Sequence, residues 1–554
     1  MTTPRPPRTA VDPPRGSGLA WGRPARRPVD TGRGFAVLLA ALIVALLTGC
    51  AGVLPQVERV PSKTLVAPPD APLPTIAREA GIPPDSAGAW PLLQASYALD
   101  ARLAMIEHAT TSLDLQYYLV ADDSTGRLIL RALRDAALRG VRIRLLLDDL
   151  YTTDMDHLLL GLAAYPNVEV RLFNPFVTVR ESSLYRLIAL ARDFKRLNHR
   201  MHNKLFIADG AMAVIGGRNL ADEYFLRGKQ GNFIDFDLML SGGVVRELSG
   251  WFDLYWNSTQ VYPVQDITRA SGRAPTSHDA ARARFDSATA NDHRPDTPTA
   301  PDSFGAPAFS EAIARHRLQL LAAGASAFAD SPNKIDPANF GIAVDDTLTH
   351  RFLQLVSDTH SEVHLFSPYF IPGKEALERI RQLRADGVAV HVVTNSLAVS
   401  DEPLVSIGLE RHQIELLKMG VDLYELSSER LKLDRTLKGL LGTSTGRLHA
   451  KLAFIDRKTV LVGSMNLDPR SSSINTEIGA RVISPKLAEM VLAAFKVDAL
   501  NGVYQVKLRQ NGVGVRWIAV DGDTTEELDI DPDTSLWQRV RLMMLSWFVP
   551  ESQL

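Results

Sequence analysis

Two short segments of the chain carry side chains suited to nucleophilic and acid–base chemistry. Each places a lysine two positions after a histidine, as His202 with Lys204 and as His449 with Lys451. The apolar runs that follow predict strands, on which positions i and i+2 face the same side, so each imidazole is expected beside an ammonium group. Because an imidazole titrates near neutral pH, two histidines can supply a nucleophile and a proton donor. One such pair alone is typical of an exposed strand edge, so its repetition carries the argument.

The two segments belong to two copies of a longer pattern. A single ungapped offset of 247 positions relates six pairs of residues, namely His202 and His449, Gly140 and Gly387, Arg200 and Arg447, Asp209 and Asp456, Gly216 and Gly463, and Asn219 and Asn466. Chance can supply one match in a chain with 13 histidines, but not six in one register. The sequence therefore predicts an internal duplication.

Each copy continues as a hairpin that returns toward its histidine. Asp209-Gly210 is a turn signal, and the strand after it leads back to Asn219. Small residues allow backbone N–H groups to approach a bound phosphate closely at Gly216, Gly217, Gly463 and Ser464. Asn219 and Asn466 either bind that phosphate or cap turns. Phosphate binding is favoured, because both copies keep asparagine where a turn also accepts glycine or aspartate.

Strands and helices alternate around both copies. The predicted strand, helix and strand are Leu113 to Val120, Gly126 to Arg139 and Val141 to Leu147 in the first copy, and Glu362 to Phe370, Lys374 to Asp386 and Val388 to Thr394 in the second. Gly140 and Gly387 end the two helices. The alternation predicts an α/β sheet covered by helices and built twice.

Composition divides the chain into six segments. They are a disordered leader with an export signal (1–49), a Pro-rich membrane tether (50–89), the first repeat (90–262), a linker or mobile insertion (263–310), the second repeat (311–510) and a C-terminal extension (511–554). The linker is predicted because Asp266 to Pro307 is dense in Ala, Ser, Thr, Asp and Pro, without a sustained apolar period.

The start of the chain resembles the export signal of a bacterial lipoprotein. A basic stretch precedes the 13 apolar residues Phe35 to Leu47, which are too few to cross a bilayer core of about 30 Å. They end in Leu-Thr-Gly-Cys, similar to a lipobox, which implies cleavage before Cys50 and lipidation of its thiol. The alternative is an uncleaved, tilted anchor. Cys50 is the only cysteine, so no intrachain disulfide or cysteine-cluster metal site can form.

The doubled pattern forms a complete motif, His-x-Lys-x4-Asp-x6-Gly-[Gly/Ser]-x-Asn. Through it the chain resembles the phospholipase D superfamily from about residue 90 to the C-terminus. It is similar in particular to bacterial cardiolipin synthases of the class C type, in the segments Leu172 to Phe176, Asn198 to Lys204, Gly216 to Phe225 and Ser367 to Phe370. The resemblance implies an α/β fold of two repeats, each a mixed sheet flanked by helices, packed as an intramolecular pseudo-dimer.

The resemblance also implies a mechanism with one site between the repeats. His202 attacks phosphorus to give a phosphatidyl-histidine, while His449 protonates the departing alcohol and then activates the acceptor hydroxyl. Positive charge and hydrogen bonds for the phosphoryl oxygens come from Lys204, Lys451, Asn219, Asn466 and Ser464. No metal or cofactor is expected, because the lysines supply the charge.

Carboxylates complete the predicted site. Each catalytic imidazole needs an acid on its second nitrogen, and the family places one roughly 25 to 33 residues beyond each histidine. Asp235 and Glu477 fall in that window. Asp209 and Asp456 belong to the motif and are counted among the catalytic candidates, although they look more like turn and salt-bridge residues than proton carriers.

The implied function is phosphatidyl transfer, which makes cardiolipin from phosphatidylglycerol and a second phospholipid. A phospholipase D that passes the phosphatidyl group to water would use the same residues. A nuclease of the superfamily is disfavoured, because loss of the leader takes the formal net charge from -2 to about -7. A catalytically inactive scaffold is disfavoured because both histidines and both lysines are present. The expected partners are phospholipids and a membrane, not nucleic acid, with the protein lipid-anchored through Cys50 and facing the periplasm.

Two amphipathic segments bear on membrane contact. Leu184 to Leu197 repeats apolar residues at helical spacing and includes four cationic side chains, Arg186, Arg192, Lys195 and Arg196. This pattern suits an interfacial helix on anionic lipid. Trp537 to Phe548 is also apolar and aromatic. Burial against the protein core is the alternative for both segments.

Overall fold

The computed structural model describes most of the chain beyond its leader. The described residues are 54–83, 85–177, 180, 182–272, 277–336, 347–432, 445–495, 502–521 and 524–546. The predicted leader and Cys50 lie outside them. Across these ranges, none of the helices combines the length and the apolar character that spanning a membrane requires.

Helices and strands alternate along the described chain. The helices are α1 (Pro72–Glu79), α2 (Ala95–His108), α3 (Ser124–Leu138), α4 (Asp156–Leu162), α5 (Ser183–Arg192), α6 (Phe194–Leu197), α7 (Gly243–Trp256), α8 (Val264–Ala270), α9 (His278–Thr289), α10 (Phe309–Ala314), α11 (Leu348–Ser357), α12 (Lys374–Ala385), α13 (Pro403–Lys418), α14 (Ser428–Leu431), α15 (Pro469–Ser473), α16 (Pro485–Phe495) and α17 (Leu536–Ser546). Short 3₁₀ helices cover Asp222–Phe225 and Pro332–Ile335.

The strands occur in two similar sets. They are β1 (Ala87–Leu92), β2 (Ser112–Tyr117), β3 (Arg142–Asp148), β4 (Val168–Phe173), β5 (Leu205–Ala208), β6 (Met212–Gly216), β7 (Gly231–Ile234), β8 (Asp237–Ser241), β9 (Val261–Pro263), β10 (Leu321–Ala329), β11 (Glu362–Phe366), β12 (Ala389–Asn395), β13 (Asp422–Leu426), β14 (Thr445–Leu448), β15 (Leu452–Ile455), β16 (Thr459–Gly463), β17 (Ile478–Ile483), β18 (Val503–Leu508), β19 (Val515–Asp521) and β20 (Thr524–Leu528).

Eighteen of these strands join in one continuous mixed sheet. Their order across the sheet is β9, β4, β3, β2, β5, β6, β8, β1, β10, β17, β16, β15, β11, β12, β13, β18, β19 and β20. In the first half β2, β3 and β4 run parallel while β5 is antiparallel to β2, and β11, β12, β13 and β15 repeat this arrangement. The predicted α/β fold of two mixed-sheet repeats is confirmed.

The two repeats share a joint and a core. Strands β1 and β10 pair antiparallel at the centre of the sheet. One buried cluster combines Ile207 and Phe236 from the first repeat with Phe454 and Val482 from the second. Because burying apolar surface is the main favourable contribution to folding, this common cluster holds the repeats together as an intramolecular pseudo-dimer.

The structure reproduces the predicted elements near the motifs. Helix α3 begins where the Asp123 side chain accepts a hydrogen bond of 2.9 Å from the Gly126 backbone N–H, an N-terminal cap. The glycines predicted to end α3 and α12 have left-handed backbones, with φ of 93° at Gly140 and 83° at Gly387. A residue with a side chain is disfavoured there, so both stops are local properties of the sequence.

The segment Asp266 to Pro307, predicted to be a linker or mobile insertion, contains a packed helix in the part that the structure describes. Helix α9 lies within it and packs on α4, with Phe285 fully buried. The helices approach so closely that a Cβ added to Gly161 would lie 2.4 Å from the Cβ of Phe285. The sequence signal is a short stripe, Ala281, Phe285 and Thr289, hidden among small and polar residues.

The two amphipathic segments differ in their surroundings. The first forms α5 and α6, whose apolar side chains are largely exposed. The second corresponds to α17, where Leu542 is buried with Leu397 and Ile407 while Trp537 is exposed. The end of this segment, beyond Ser546, lies outside the described residues.

Replacing Phe285 by alanine tests the packing of α9. We expect Phe285→Ala to lower the free energy of unfolding by about 3–5 kcal/mol, because a fully buried aromatic ring leaves a cavity. Chemical denaturation measures the change. The neighbouring variant Arg284→Ala, on the exposed face of the helix, is the matched control and should change stability by less than about 0.5 kcal/mol. Equal stability of the two variants would contradict the packing.

Candidate active site

Each motif histidine lies just before the strand that its motif predicts. His202 and Lys204 precede β5, and His449 and Lys451 precede β15. Both imidazoles are more than nine-tenths buried. Arg200 fixes the approach to the first histidine through hydrogen bonds to the Asp148 carboxylate, which also accepts from the Met201 backbone N–H.

Backbone pairing brings each histidine to the opposite repeat. Strands β7 and β14 pair parallel, with Leu448 opposite Ile234, and the His449 N–H donates to the Ile234 carbonyl at 2.8 Å. In the other half Met201 forms a parallel bridge with Thr476, and the His202 N–H donates to the Thr476 carbonyl at 2.9 Å. After the Leu448–Ile234 pair the next residues are His449 and Asp235. After the Met201–Thr476 bridge they are His202 and Glu477.

The carboxylates therefore cross between the repeats. His202 Nδ1 lies 3.0 Å from both oxygens of Glu477, and His449 Nδ1 lies 2.6 Å from Asp235 Oδ2. Each predicted acid thus contacts the histidine of the other motif rather than the one that precedes it in the sequence. A carboxylate on Nδ1 holds the proton there and makes Nε2 the ring nitrogen that can act on a substrate.

The two carboxylates are held differently. Glu477 accepts hydrogen bonds from the Ser464 and Ser471 hydroxyls. Asp235 instead fills the space beside Gly217, where an added Cβ would lie 2.1 Å from Asp235 Oδ1. Gly217 and Ser464 occupy equivalent positions in the duplication. The aspartate therefore lies beside a glycine, and the glutamate beside a serine. Ser464, predicted to bind phosphate, directs its hydroxyl to Glu477.

Asp330, which the sequence analysis missed, supports Glu477 from behind. Its carboxylate accepts from the Glu477 backbone N–H at 3.0 Å, and its own N–H donates to the Glu477 carbonyl at 2.9 Å. Lys334 neutralises Asp330 at 2.8 Å. Both residues follow β10 outside either motif, and no spacing rule marks them.

The lysines and aromatic rings surround the imidazoles. Lys204 Nζ donates to the His202 carbonyl at 2.6 Å, and Lys451 Nζ donates to the His449 carbonyl at 2.7 Å. Lys451 Nζ also lies 3.0 Å from both ring nitrogens of His449. The ring of Tyr118 contacts His202 edge-on, at 4.9 Å between centroids.

The second histidine has a matching aromatic neighbour. The ring of Tyr224 meets His449 edge-on at 5.0 Å between centroids. The sequence analysis did not single out either tyrosine as a site residue. The available signal was position, because Tyr118 follows β2, the strand that pairs with β5 beyond His202.

The two motif asparagines are placed differently. Asn219 donates to the Tyr224 hydroxyl at 2.9 Å and accepts from the Leu119 backbone N–H at 3.2 Å, so it positions the tyrosine beside His449. The Oδ1 atom of Asn466 is buried and has no hydrogen-bond partner within the described ranges. Phosphate binding by these asparagines therefore stays a prediction.

Asp209 and Asp456 do not reach the histidines. Each follows the far end of its strand with a left-handed backbone, and each carboxylate accepts from three successive backbone N–H groups. The donors are Thr110, Thr111 and Ser112 for Asp209, and His360, Ser361 and Glu362 for Asp456. They hold the turns that start β2 and β11. The predicted turn role fits this geometry, whereas a salt bridge and proton transfer do not.

Burial governs the protonation of the site. It lowers the pKa of His202 to about 4, against the opposing charge of Glu477. Burial and Lys451 lower the pKa of His449 well below its usual range, and the charge of His202 adds to that shift, so the two imidazoles interact. Burial also lowers the pKa of Lys451 to about 8 and that of Lys204 well below its usual range.

The pKa values of Asp235 and Glu477 shift in opposite directions. Burial raises the pKa of Asp235, although Lys451 opposes it. Burial would also raise the pKa of Glu477, but the charge of His202 and its hydrogen bond outweigh this effect and the pKa is lowered. Glu477 is therefore the more fully ionised of the two acids.

One group in the described ranges has the side chains to ligate a metal. Glu362, His364 and His391 each offer an atom within 4.8 Å of the others. Because β11 is antiparallel to β15, Glu362 lies at the Asp456 end of these strands, away from His449. These residues therefore play no part in the histidine site.

The fold and the site together define a class of protein, the duplicated α/β enzymes with one paired-histidine site for phosphodiester transfer. The family model described as "Cardiolipin synthase, PLD-like domain" matches residues 103–256 and 352–499, more than half of the chain. The chain belongs to this phospholipase D-like family.

Relatives agree with this assignment over most of the chain. Cardiolipin synthase C of Escherichia coli (strain K12) is 35% identical over 84% of this chain and 95% of its own length. Cardiolipin synthase 1 of Staphylococcus aureus (strain MRSA252) is 26% identical over 72% of this chain and 64% of its own. The crystal structure of phosphatidylserine synthase from Haemophilus influenzae Rd KW20 shares the fold, with a TM-score of 0.52 at 12% identity over 86% of this chain and 98% of that one.

Replacing Glu477 by glutamine tests the crossed carboxylate. We expect Glu477→Gln to lower kcat/KM by roughly 10²–10⁴-fold, as neutralising the acid of a catalytic triad does. The acid limb of the pH profile should move below pH 4, because without the carboxylate the pKa of His202 falls further below about 4.

Ser464→Ala is the control for Glu477→Gln, since it removes one hydrogen bond from Glu477 but keeps the charge. It should cost about tenfold in rate and leave the acid limb near its original pH. If Glu477→Gln kept both the rate and the pH profile of the unmodified protein, the carboxylate would have no role in catalysis.

Proposed function

We propose that the protein is a phosphatidyltransferase that makes cardiolipin from phosphatidylglycerol and a second phospholipid. One observation carries the proposal: each imidazole pairs with a carboxylate from the other repeat, at 3.0 Å for His202 and 2.6 Å for His449. This exchange brings two histidines and two lysines to one site. The names of the relatives support the choice of cardiolipin as product.

The first step transfers a phosphatidyl group to the protein. Nε2 of His202 attacks the phosphorus of the donor lipid, a phosphorus–nitrogen bond forms, and the bond to the head-group oxygen breaks. His449, which gains a proton once the anionic substrate is bound, gives that proton to the oxygen, so the head group leaves as a neutral alcohol. The product on the protein is a phosphatidyl-histidine.

The second step reverses the first with a different alcohol. His449, now neutral, takes the proton from a hydroxyl of phosphatidylglycerol, and the hydroxyl oxygen attacks phosphorus. The phosphorus–nitrogen bond breaks, His202 is restored, and cardiolipin is released. Water in place of the lipid hydroxyl would give phosphatidic acid, so exclusion of water decides between transferase and hydrolase.

The electrostatics of the site support His202 as the nucleophile. Its partner Glu477 has a lowered pKa and stays anionic, which stabilises the positive charge that develops on an attacking imidazole. Asp235 has a raised pKa and so stabilises a positive charge on His449 less, which means that a protonated His449 gives up its proton more readily.

An anionic substrate completes the charge of the site. The pKa values of Lys204 and Lys451 are lowered because their ammonium groups are buried. A phosphodiester beside them opposes that shift and favours the charged form of both. We therefore assign the lysines to the phosphoryl oxygens and expect substrate binding to take up protons above about pH 8.

The proposed location is the bacterial cell envelope. The leader and Cys50 fit a lipoprotein that is cleaved, lipidated at Cys50 and held at a membrane facing the periplasm. Such an anchor keeps the site beside a bilayer that contains the lipid substrates. The same sequence is compatible with the inner or the outer membrane.

Incubating the purified protein with labelled phosphatidylglycerol tests the reaction. We expect labelled cardiolipin and free glycerol, and mass spectrometry of the acid-quenched protein should find a phosphatidyl group on His202. His202→Ala should abolish product, while His316→Ala, at an exposed histidine far from both motifs in sequence, should not. Phosphatidic acid without cardiolipin would favour the hydrolase, and turnover by His202→Ala would refute the nucleophile.

Replacing Cys50 by serine tests the anchor. Mass spectrometry of the unmodified protein from a bacterial host should find an N-terminus at Cys50 that carries lipid. Cys50→Ser should remain unlipidated and keep its leader, because the thiol accepts the lipid before cleavage in the proposed processing. An unmodified Cys50 within an intact leader would show that the segment is an uncleaved anchor.

A further inference from the structure

Helix α5 buries an arginine and exposes several apolar side chains. The buried side chain of this helix is that of Arg186, while Leu184 and Leu187 are each 62% exposed and Tyr185 is 48% exposed. Phe194, at the start of α6, is 48% exposed. An ordinary surface helix buries its leucines and exposes its arginines. We call Leu184, Tyr185, Leu187 and Phe194 the apolar patch.

The helix is held firmly in this orientation. Arg186 donates to the backbone carbonyls of Asp149 and Leu150 and to the Thr152 hydroxyl, at 2.5, 3.0 and 3.1 Å. The Ser182 hydroxyl caps the first turn through the Tyr185 N–H. Rotating the helix to bury its leucines would break these contacts and leave a buried arginine without partners, which is costly.

The patch lies next to the histidine site. The loop that Arg186 binds carries Tyr151, which is 48% exposed. The Tyr151 ring contacts Tyr118 at 5.2 Å between centroids, and Tyr118 contacts His202 at 4.9 Å. A row of rings therefore leads from the surface beside α5 to the nucleophile.

Positive charge accompanies the patch. Besides the buried Arg186, residues 183–197 contain three cationic side chains, Arg192, Lys195 and Arg196, against one carboxylate, Asp193, which pairs with Arg196. Lys195 is exposed next to Phe194. Apolar side chains flanked by cations match a bilayer with anionic head groups, since the chains enter the interface while the cations remain at phosphate level.

We infer that the apolar patch docks on the surface of an anionic phospholipid bilayer and sets the mouth of the site at that surface. The choice of a bilayer rests on the proposed function, because a site for diacyl lipids must receive them from a membrane. Lipid would reach His202 past Tyr151 and Tyr118. The contact is separate from the anchor at Cys50.

A single-cysteine probe tests the contact without the anchor. Cys50 is the only cysteine, so Cys50→Ser in the chain without its leader (residues 50–554) gives a cysteine-free protein in which Leu187→Cys can carry a polarity-sensitive fluorophore. We expect its emission to shift to shorter wavelength on addition of phosphatidylglycerol vesicles, and less so with phosphatidylcholine vesicles or high salt. Leu138→Cys is the matched control, since Leu138 is 66% exposed on α3. Its emission should not change.

The outcomes separate two occupants of the patch and identify the case in which neither binds. A shift at Leu187→Cys that needs vesicles supports the bilayer. A shift that grows with protein concentration in the absence of vesicles would instead assign the patch to a second copy of the chain and overturn the inference. No shift under either condition would also overturn it.

Removing the leucines separates docking from catalysis. The double variant Leu184→Ser with Leu187→Ser is made in the Cys50→Ser background. Its affinity for anionic vesicles should fall about tenfold for each leucine removed. Its rate on phosphatidylglycerol dispersed in detergent should match that of the Cys50→Ser protein, while its rate on vesicles falls. If the unaltered protein transfers no phosphatidyl group, the proposed function fails, yet vesicle binding and fluorescence still decide the docking.

Discussion

The pairing of each site histidine with a carboxylate from the opposite repeat is the constraint on which the structure depends. His202 needs Glu477, and His449 needs Asp235, so neither half can build a working imidazole alone. The exchange requires the two repeats to meet in a fixed register. The β7–β14 pairing, the joint between β1 and β10 and the common apolar core all serve that register. Even the motif aspartates contribute, since Asp209 and Asp456 hold the turns at the far ends of β5 and β15, the strands that follow the two histidines.

Burying this many ionisable groups together has an energetic cost, and that cost sets the protonation states of the site. Charged side chains removed from water favour their neutral forms unless a partner compensates. The imidazoles therefore rest neutral, as a nucleophile requires, and the lysines are ready to regain charge when an anion arrives. The surrounding hydrogen bonds, such as those from Ser464 and Ser471 to Glu477, limit the cost for the one acid that stays ionised.

Much of this arrangement could be predicted from the sequence. The offset of 247 positions identified the duplication, the apolar runs after the two His-x-Lys segments predicted strands where β5 and β15 lie, and Asp235 and Glu477 were selected by their spacing. Which acid serves which histidine could not be predicted, because the pairing depends on how the repeats dock, and the short spacing from each histidine to the acid that follows it carries no information on that. Asp330 was missed for the same reason, and Tyr118 because its place beside His202 depends on the pairing of β2 with β5. The packing of α9 was missed because a three-residue stripe is too short to outweigh a composition typical of linkers.

The unequal surroundings of the two carboxylates have a further consequence. Two identical subunits related by symmetry must give both histidines the same neighbours, and so the same affinity for a proton. Fusion of the repeats into one polypeptide lifts that restriction. Here one half has drifted to glutamate with serine and the other to aspartate with glycine, so the two imidazoles have become chemically distinct. A division of labour between donor and acceptor steps is thus open to the duplicated chain and closed to a symmetric pair of identical subunits.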